Sequence, residues 1–165
     1  MTESSETLIL DPAVVTAIDH WLTKFPADRR QSALLAALHV AQDHYQGYLT
    51  VPVMDAVADY LDVPRVAAYE AATFYSMYTC EPAGRHKIDV CTNISCLLRG
   101  SNEVVQHLEN RLDVKLGGVT TDGRFRLRSV ECLGACINAP MMQVDKDYHE
   151  NLTSDKIDEI LTHYE

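Results

Sequence analysis

Four of the chain's five cysteines come as two close pairs, Cys91 and Cys96 in CTNISC and Cys132 and Cys136 in CLGAC, with thirty-five residues between the pairs. Four thiolates complete two tetrahedral irons bridged by two sulfides, two ligands to each iron. A 2Fe-2S cluster therefore accounts for C-x4-C followed by C-x3-C better than its competitors do. Zinc is the first of these; its cysteine knuckles commonly read C-x2-C, but spacings of four and three do not exclude it. Disulfides need an oxidising compartment, and a thioredoxin-type redox pair needs a C-x-x-C that this sequence lacks. None of the seven histidines, His20, His39, His44, His86, His107, His149 and His163, forms a Cys-x-His pairing with these loops, which disfavours mixed Rieske ligation.

A centre held by cysteine alone passes one electron at a time, at a low potential of the order of -400 mV in plant-type relatives. The neighbourhood bears on that value. Arg85, Lys87, Arg99, Arg124, Arg126 and Arg128 could offset thiolate charge, or could simply form a solvated basic surface. Gly134, inside the second pair, lets the backbone turn closely and aim N–H groups at sulfur. Cys80 is left over and is expected to be a buried or interfacial thiol rather than a ligand.

The first half, which must carry or support these loops, reads as helical. DPAVVTAIDHWLTKF has Asp11 as a cap, Pro12 at the first helical position, and Val14, Ile18, Trp21, Leu22 and Phe25 at helical spacing. ADRRQSALLAALHVAQDHYQG repeats the pattern, with Gly47 just past its end. Two shorter helices are expected over 53–61 and 65–77, the second opened by Pro64, to make a bundle of about four. From Lys87 the rhythm changes. HKIDVCT and GRFRLRSVEC alternate as strands, SNEVVQHLENRLD is an amphipathic helix, MMQVD is a short strand, and TSDKIDEILTHY is a helix capped by Thr153 or Ser154.

The order strand, helix, strand, strand, helix is that of a small thioredoxin-like layer, so the expectation is an α+β or α/β chain: an N-terminal helical bundle followed by that layer. The boundaries are a frayed terminus over 1–10, the bundle over 11–80 and the second domain over 81–165. In such a sheet the loops bearing Cys91/Cys96 and Cys132/Cys136 can emerge at one edge. Pro140 falls where thioredoxin-like folds often keep a cis proline before a strand. The aromatic segment TFYSMY, with Phe74, Tyr75, Met77 and Tyr78, is expected to be a core cluster joining the domains, or else a partner contact.

Charge excludes some roles. The net charge of -10 is uneven: residues 1–70 hold ten acids and four bases, 71–140 seven and eight, 141–165 seven and two. An acidic chain argues against nucleic acid as main partner. MDAVADYLDVPRVAAYEAATFY has a helix-turn-helix look, which would make a redox-sensing DNA-binding protein. Its one base, Arg65, faces Asp55, Asp59, Asp62 and Glu70, a balance that repels phosphate. No run of eighteen apolar residues and no signal or transit leader is visible, so a soluble bacterial cytoplasmic protein without membrane insertion is expected. There is no dinucleotide fingerprint, no P-loop and no flavin motif. A partner is therefore expected to deliver the electrons, and no side chain is assigned as a catalytic acid, base or nucleophile.

EAATFYSMY, GRHKIDVCTNISC, TTDGRFRLRSVECLGACINAPMMQVD and the C-terminal helix together resemble the E subunit of NADH:quinone oxidoreductase, respiratory complex I, from about residue 11 onward. The resemblance implies a helical bundle and a thioredoxin-like ferredoxin domain, with Cys91, Cys96, Cys132 and Cys136 at the ligand positions of one 2Fe-2S cluster. It also implies a heterodimer, within a larger complex, with a flavoprotein that binds NADH and FMN and exchanges electrons with the cluster. In that family the cluster lies off the main wire to quinone, and the complex places the chain at the cytoplasmic face of the bacterial inner membrane. Similar subunits serve NAD-linked hydrogenases and formate dehydrogenases. A zinc-stapled scaffold is the alternative of another class.

Overall fold

The computed structural model describes residues 8–82 and 84–164. Of residues 1–10, expected as a frayed terminus, 1–7 lie outside the described residues, and Leu10 is buried. The chain divides into two compact units after Pro82.

The first unit is helical. Helix α1 spans Pro12–Leu22, and Asp11 caps it by accepting from Ala13 N at 2.8 Å. Val14 and Ile18, one turn apart, enter the core, whereas Phe25 lies beyond the helix end and packs against that core from the following turn. The expected second helix divides: a 3-10 helical turn over Arg30–Ala33 precedes α2 at Leu34–His44. Arg30 opens that turn. Its guanidinium donates to Tyr60 O at 2.8 Å and Leu61 O at 3.2 Å, serving the orphan carbonyls at the end of α3, Val51–Leu61. Helix α4, Arg65–Phe74, follows Pro64 and ends earlier than expected.

The segment after α4 is pinned by side chains. Buried Gln42 donates from Nε2 to Met77 O at 3.1 Å and accepts from Thr79 N at 2.7 Å, and the Tyr78 hydroxyl donates to Leu35 O at 2.7 Å. Of the aromatic segment there, Tyr78 is buried in the core of this unit, whereas Phe74 is 81% exposed and Tyr75 and Met77 are exposed too.

The second unit is a four-stranded mixed sheet in the order β2-β1-β3-β4, with β1 His86–Cys91, β2 Phe125–Val130, β3 Met142–Val144 and β4 Asp147–His149. Strands β1 and β2 are parallel, so a crossover must join them; it contains α5, Ile94–Leu98, and α6, Ser101–Leu112. Strand β3 runs antiparallel to β1, and β4 antiparallel to β3. Helix α7, Ser154–Thr162, is capped by the Thr153 hydroxyl. One core joins Ile88, Val90, Phe125, Leu127, Met142 and Val144 on the sheet to Val104 and Leu108 of α6 and Ile157, Ile160 and Leu161 of α7. This is the α+β class expected from the sequence. The short elements α5 and β4 were not expected. The Ala139–Pro140 peptide is cis.

Candidate metal centre

Strand register brings the two cysteine loops together. Cys91, the last residue of β1, lies opposite Val130, the last residue of β2. Because the strands are parallel, both chains leave the sheet at the same edge. Thr92 donates from its N to Val130 O at 3.0 Å, holding the two exits side by side. The Cys91 thiol then reaches Glu131 O at 3.0 Å. Beyond it, Asn93 joins the loops: its Oδ1 accepts from Ile94 N at 2.7 Å, opening α5, and its Nδ2 donates to Glu131 Oε2 at 3.2 Å. Neither Asn93 nor Glu131 stands out in the sequence, where an N-cap asparagine before a five-residue helix gives no readable period.

Cys91 and Cys96 flank the turn at Thr92 and Asn93. Cys91 belongs to a strand and Cys96 to the helix α5. Cys132 follows β2, and Cys136 opens a 3-10 helical turn over Cys136–Asn138. Cys91 and Cys96 are buried with Ala139 and Met141, against which Leu133 and Ala135 pack; Cys132 and Cys136 are exposed, with their Sγ atoms 3.8 Å apart.

Burial pushes the Cys96 thiol up to about 11, aided by a hydrogen bond with Cys91 and by the proximity of the Cys91 and Cys136 sulfurs. A thiolate there is unfavourable unless a positive centre accompanies it. Among the described residues no group of three or more His, Cys, Asp or Glu side chains is placed to hold one ion. The sulfurs form a buried pair, Cys91 and Cys96, and an exposed pair, Cys132 and Cys136, and four thiolates are the donor number of a binuclear iron centre. Gly134, with φ +84°, directs its N–H to Cys132 Sγ at 3.4 Å, the kind of donor that sulfur-ligated iron accepts. The donor set fits a 2Fe-2S cluster.

Most of the bases expected to offset thiolate charge are elsewhere. Arg85, Lys87, Arg124 and Arg126 lie at or near the opposite ends of β1 and β2, and Arg128 holds Asp89 by two contacts of 2.8 Å. Arg99 alone follows directly from a cysteine-bearing element. The rim of the site is instead apolar: Ile94 is 68% exposed, Leu98 82% and Ile137 89%. Residues 91–102 and 131–143 contain one charged side chain each, Arg99 and Glu131, in a chain that is 23% charged. Cys80, expected to be buried or interfacial, is exposed in the helical unit, its Sγ 3.9 Å from Ala72 O. Among the described residues no helix is long and apolar enough to cross a membrane.

Comparison with known proteins agrees with this geometry. The family model of the thioredoxin-like 2Fe-2S ferredoxins matches residues 18–165. An E subunit of the NADH-quinone oxidoreductase of Rhizobium meliloti, the copy numbered 2, is 48% identical over 132 residues, 80% of this chain and 78% of that protein. The corresponding E subunit of Rickettsia felis is 41% identical over 143 residues, covering 87% and 86%, and that of Rickettsia conorii 44% over 140, covering 85% and 84%. Among solved structures, an NAD+-reducing NiFe-hydrogenase in the air-oxidized state superposes with a TM-score of 0.68 at 23% identity; 81% of this chain matches 23% of that one, a likeness of fold. The chain belongs to the thioredoxin-like 2Fe-2S ferredoxin family and, within it, to the E subunits of NADH-quinone oxidoreductase.

Proposed function

We propose that Cys91, Cys96, Cys132 and Cys136 hold one 2Fe-2S cluster, and that the chain exchanges single electrons with the FMN of a partner NADH-binding subunit of NADH:quinone oxidoreductase. The observation that carries this reading is the parallel register of Cys91 and Val130, which delivers both thiol pairs to one sheet edge, one pair buried and one exposed. When bound, such a cluster accepts and returns one electron at a time, the added charge being shared with its thiolate ligands. The coarser part of the reading, an electron-transfer subunit of an oxidoreductase complex, follows from the family and the relatives.

The chain's own residues have supporting roles. Cys91, Cys96, Ala139 and Met141 keep water from one side of the centre, and Gly134 N–H stabilises charge on the Cys132 sulfur. No side chain acts as acid, base or nucleophile. NADH and FMN belong to the partner, which docks on the charge-poor rim of Ile94, Leu98 and Ile137. The pair forms part of a larger complex at the cytoplasmic face of the bacterial inner membrane, without membrane insertion by this chain. The test is to add NADH anaerobically to the purified chain, with and without its FMN-bearing partner. Appearance of the reduced-cluster paramagnetic signal only with the partner supports the reading. Reduction without the partner, or none with it, overturns it.

A further inference from the structure

The peptide between Leu133 and Gly134 lies between the two exposed cysteines and is held from both sides. Its carbonyl oxygen, on Leu133, accepts from the Tyr148 hydroxyl at 2.8 Å. Its N–H, on Gly134, points at Cys132 Sγ at 3.4 Å. A trans peptide is planar, with C=O and N–H directed to opposite sides, so fixing one end of the plane aims the other. Tyr148 is well placed for this because its backbone is paired with Gln143 in the β3–β4 ladder. Leu133 and Ala135 on either side pack against the buried cysteines, but Gly134 itself lies in the open, where an added Cβ would meet nothing within 4 Å. The hydroxyl makes the hydrogen bond that fixes the carbonyl end of this peptide.

We infer that Tyr148 is a positioning residue that sets the reduction potential of the centre through this single peptide, an inference that rests on the ligand reading above. Uptake of one electron adds one negative charge, shared by the sulfurs. An N–H aimed at Cys132 Sγ stabilises that charge more than it stabilises the oxidised form, and so raises the potential. With the phenol removed, water takes its place on the Leu133 carbonyl, because Tyr148 is half exposed. The peptide then rocks, and the N–H spends less time on sulfur.

Tyr148→Phe removes the donor and keeps the ring. The full chain is purified anaerobically, its iron and labile sulfide are measured, and it is titrated electrochemically with the reduced paramagnetic signal as readout. Full iron and sulfide are expected, with altered g-values and a more negative midpoint. At the wild-type midpoint the reduced-to-oxidised ratio should fall about two- to tenfold, the range of one net hydrogen bond. Tyr164→Phe is the control: its hydroxyl serves Asp147 Oδ2 at 3.1 Å rather than the cysteine loop, and its midpoint should match wild type. An unchanged or more positive midpoint in Tyr148→Phe overturns the inference. So does loss of iron from that variant alone, which would make the hydroxyl an assembly device rather than a tuner. A wild-type chain without iron and sulfide would instead sink the ligand reading.

Discussion

Cys91 and Val130 face each other as the last residues of two parallel strands. From this one pairing follows the exit of both cysteine loops at one end of the sheet, although thirty-five residues separate Cys96 from Cys132 in the chain. An antiparallel pairing of the same strands would have sent the two loops to opposite edges.

Replacing Cys91, Cys96, Cys132 or Cys136 singly by Ala should remove or damage the cluster, whereas Cys80→Ala should leave it intact. Iron content and visible absorption measure this directly, against about two irons per wild-type chain. Full occupancy in Cys132→Ala would defeat the ligand assignment.

The apolar rim should bind the flavoprotein partner. Leu98→Glu and Ile137→Glu each place a charge on an exposed position and should weaken association about tenfold or more, with iron content unchanged. Titration calorimetry with the FMN-bearing partner reads the effect. Val66→Glu, on an exposed apolar position of the helical unit, provides the comparison. Wild-type affinity in both rim variants would remove the rim from the interface.

Much of this site was legible in the sequence, for a physical reason: thiol spacing is local, and cysteines announce their chemistry. The strands bearing Cys91 and preceding Cys132 alternate cleanly, and Asp11, Pro12, Pro64 and Thr153 mark helix starts where the structure has them. What was not legible depends on distant pairings. Helix α5 and strand β4 are too short to show a period, and nothing near Leu133 in the chain points to Tyr148. Arg85, Lys87, Arg124 and Arg126 look close to the cysteines in the sequence because sequence distance hides which end of a strand a residue occupies. In TFYSMY, composition could not separate buried Tyr78 from Phe74, which faces solvent.

Gln42 should carry more stability than a surface glutamine. Gln42→Leu strips Thr79 N of its acceptor in a buried position, and should lower unfolding free energy by about 1–3 kcal/mol. Chemical denaturation of the cluster-free chain, followed by far-ultraviolet circular dichroism, gives the difference. A change below a few tenths would mean that water replaces the side chain.

His149 makes stability fall on mild acidification. Burial lowers its pKa below the ordinary histidine value of 6.5, opposed by Asp147 and aided by Lys156 and His163, so the folded state binds the proton less readily than the unfolded state. Its neutral form is fully compatible with folding above about pH 6.5; stability is lost as pH falls from there towards the lowered folded value. His149→Gln, which replaces the imidazole now 3.1 Å from the Tyr164 hydroxyl by a side chain that does not titrate, should flatten this slope below about pH 6.5. Equal slopes in the two chains would show that the imidazole titrates freely when folded.

The central claim is that this chain holds a 2Fe-2S cluster on its four paired cysteines. Iron and acid-labile sulfide should be measured on anaerobically purified protein, with electron paramagnetic resonance after dithionite reduction. The account predicts about two irons and two sulfides per chain and the signal of one unpaired electron. One zinc, no labile sulfide and no signal would contradict it and leave a metal-stapled interaction protein.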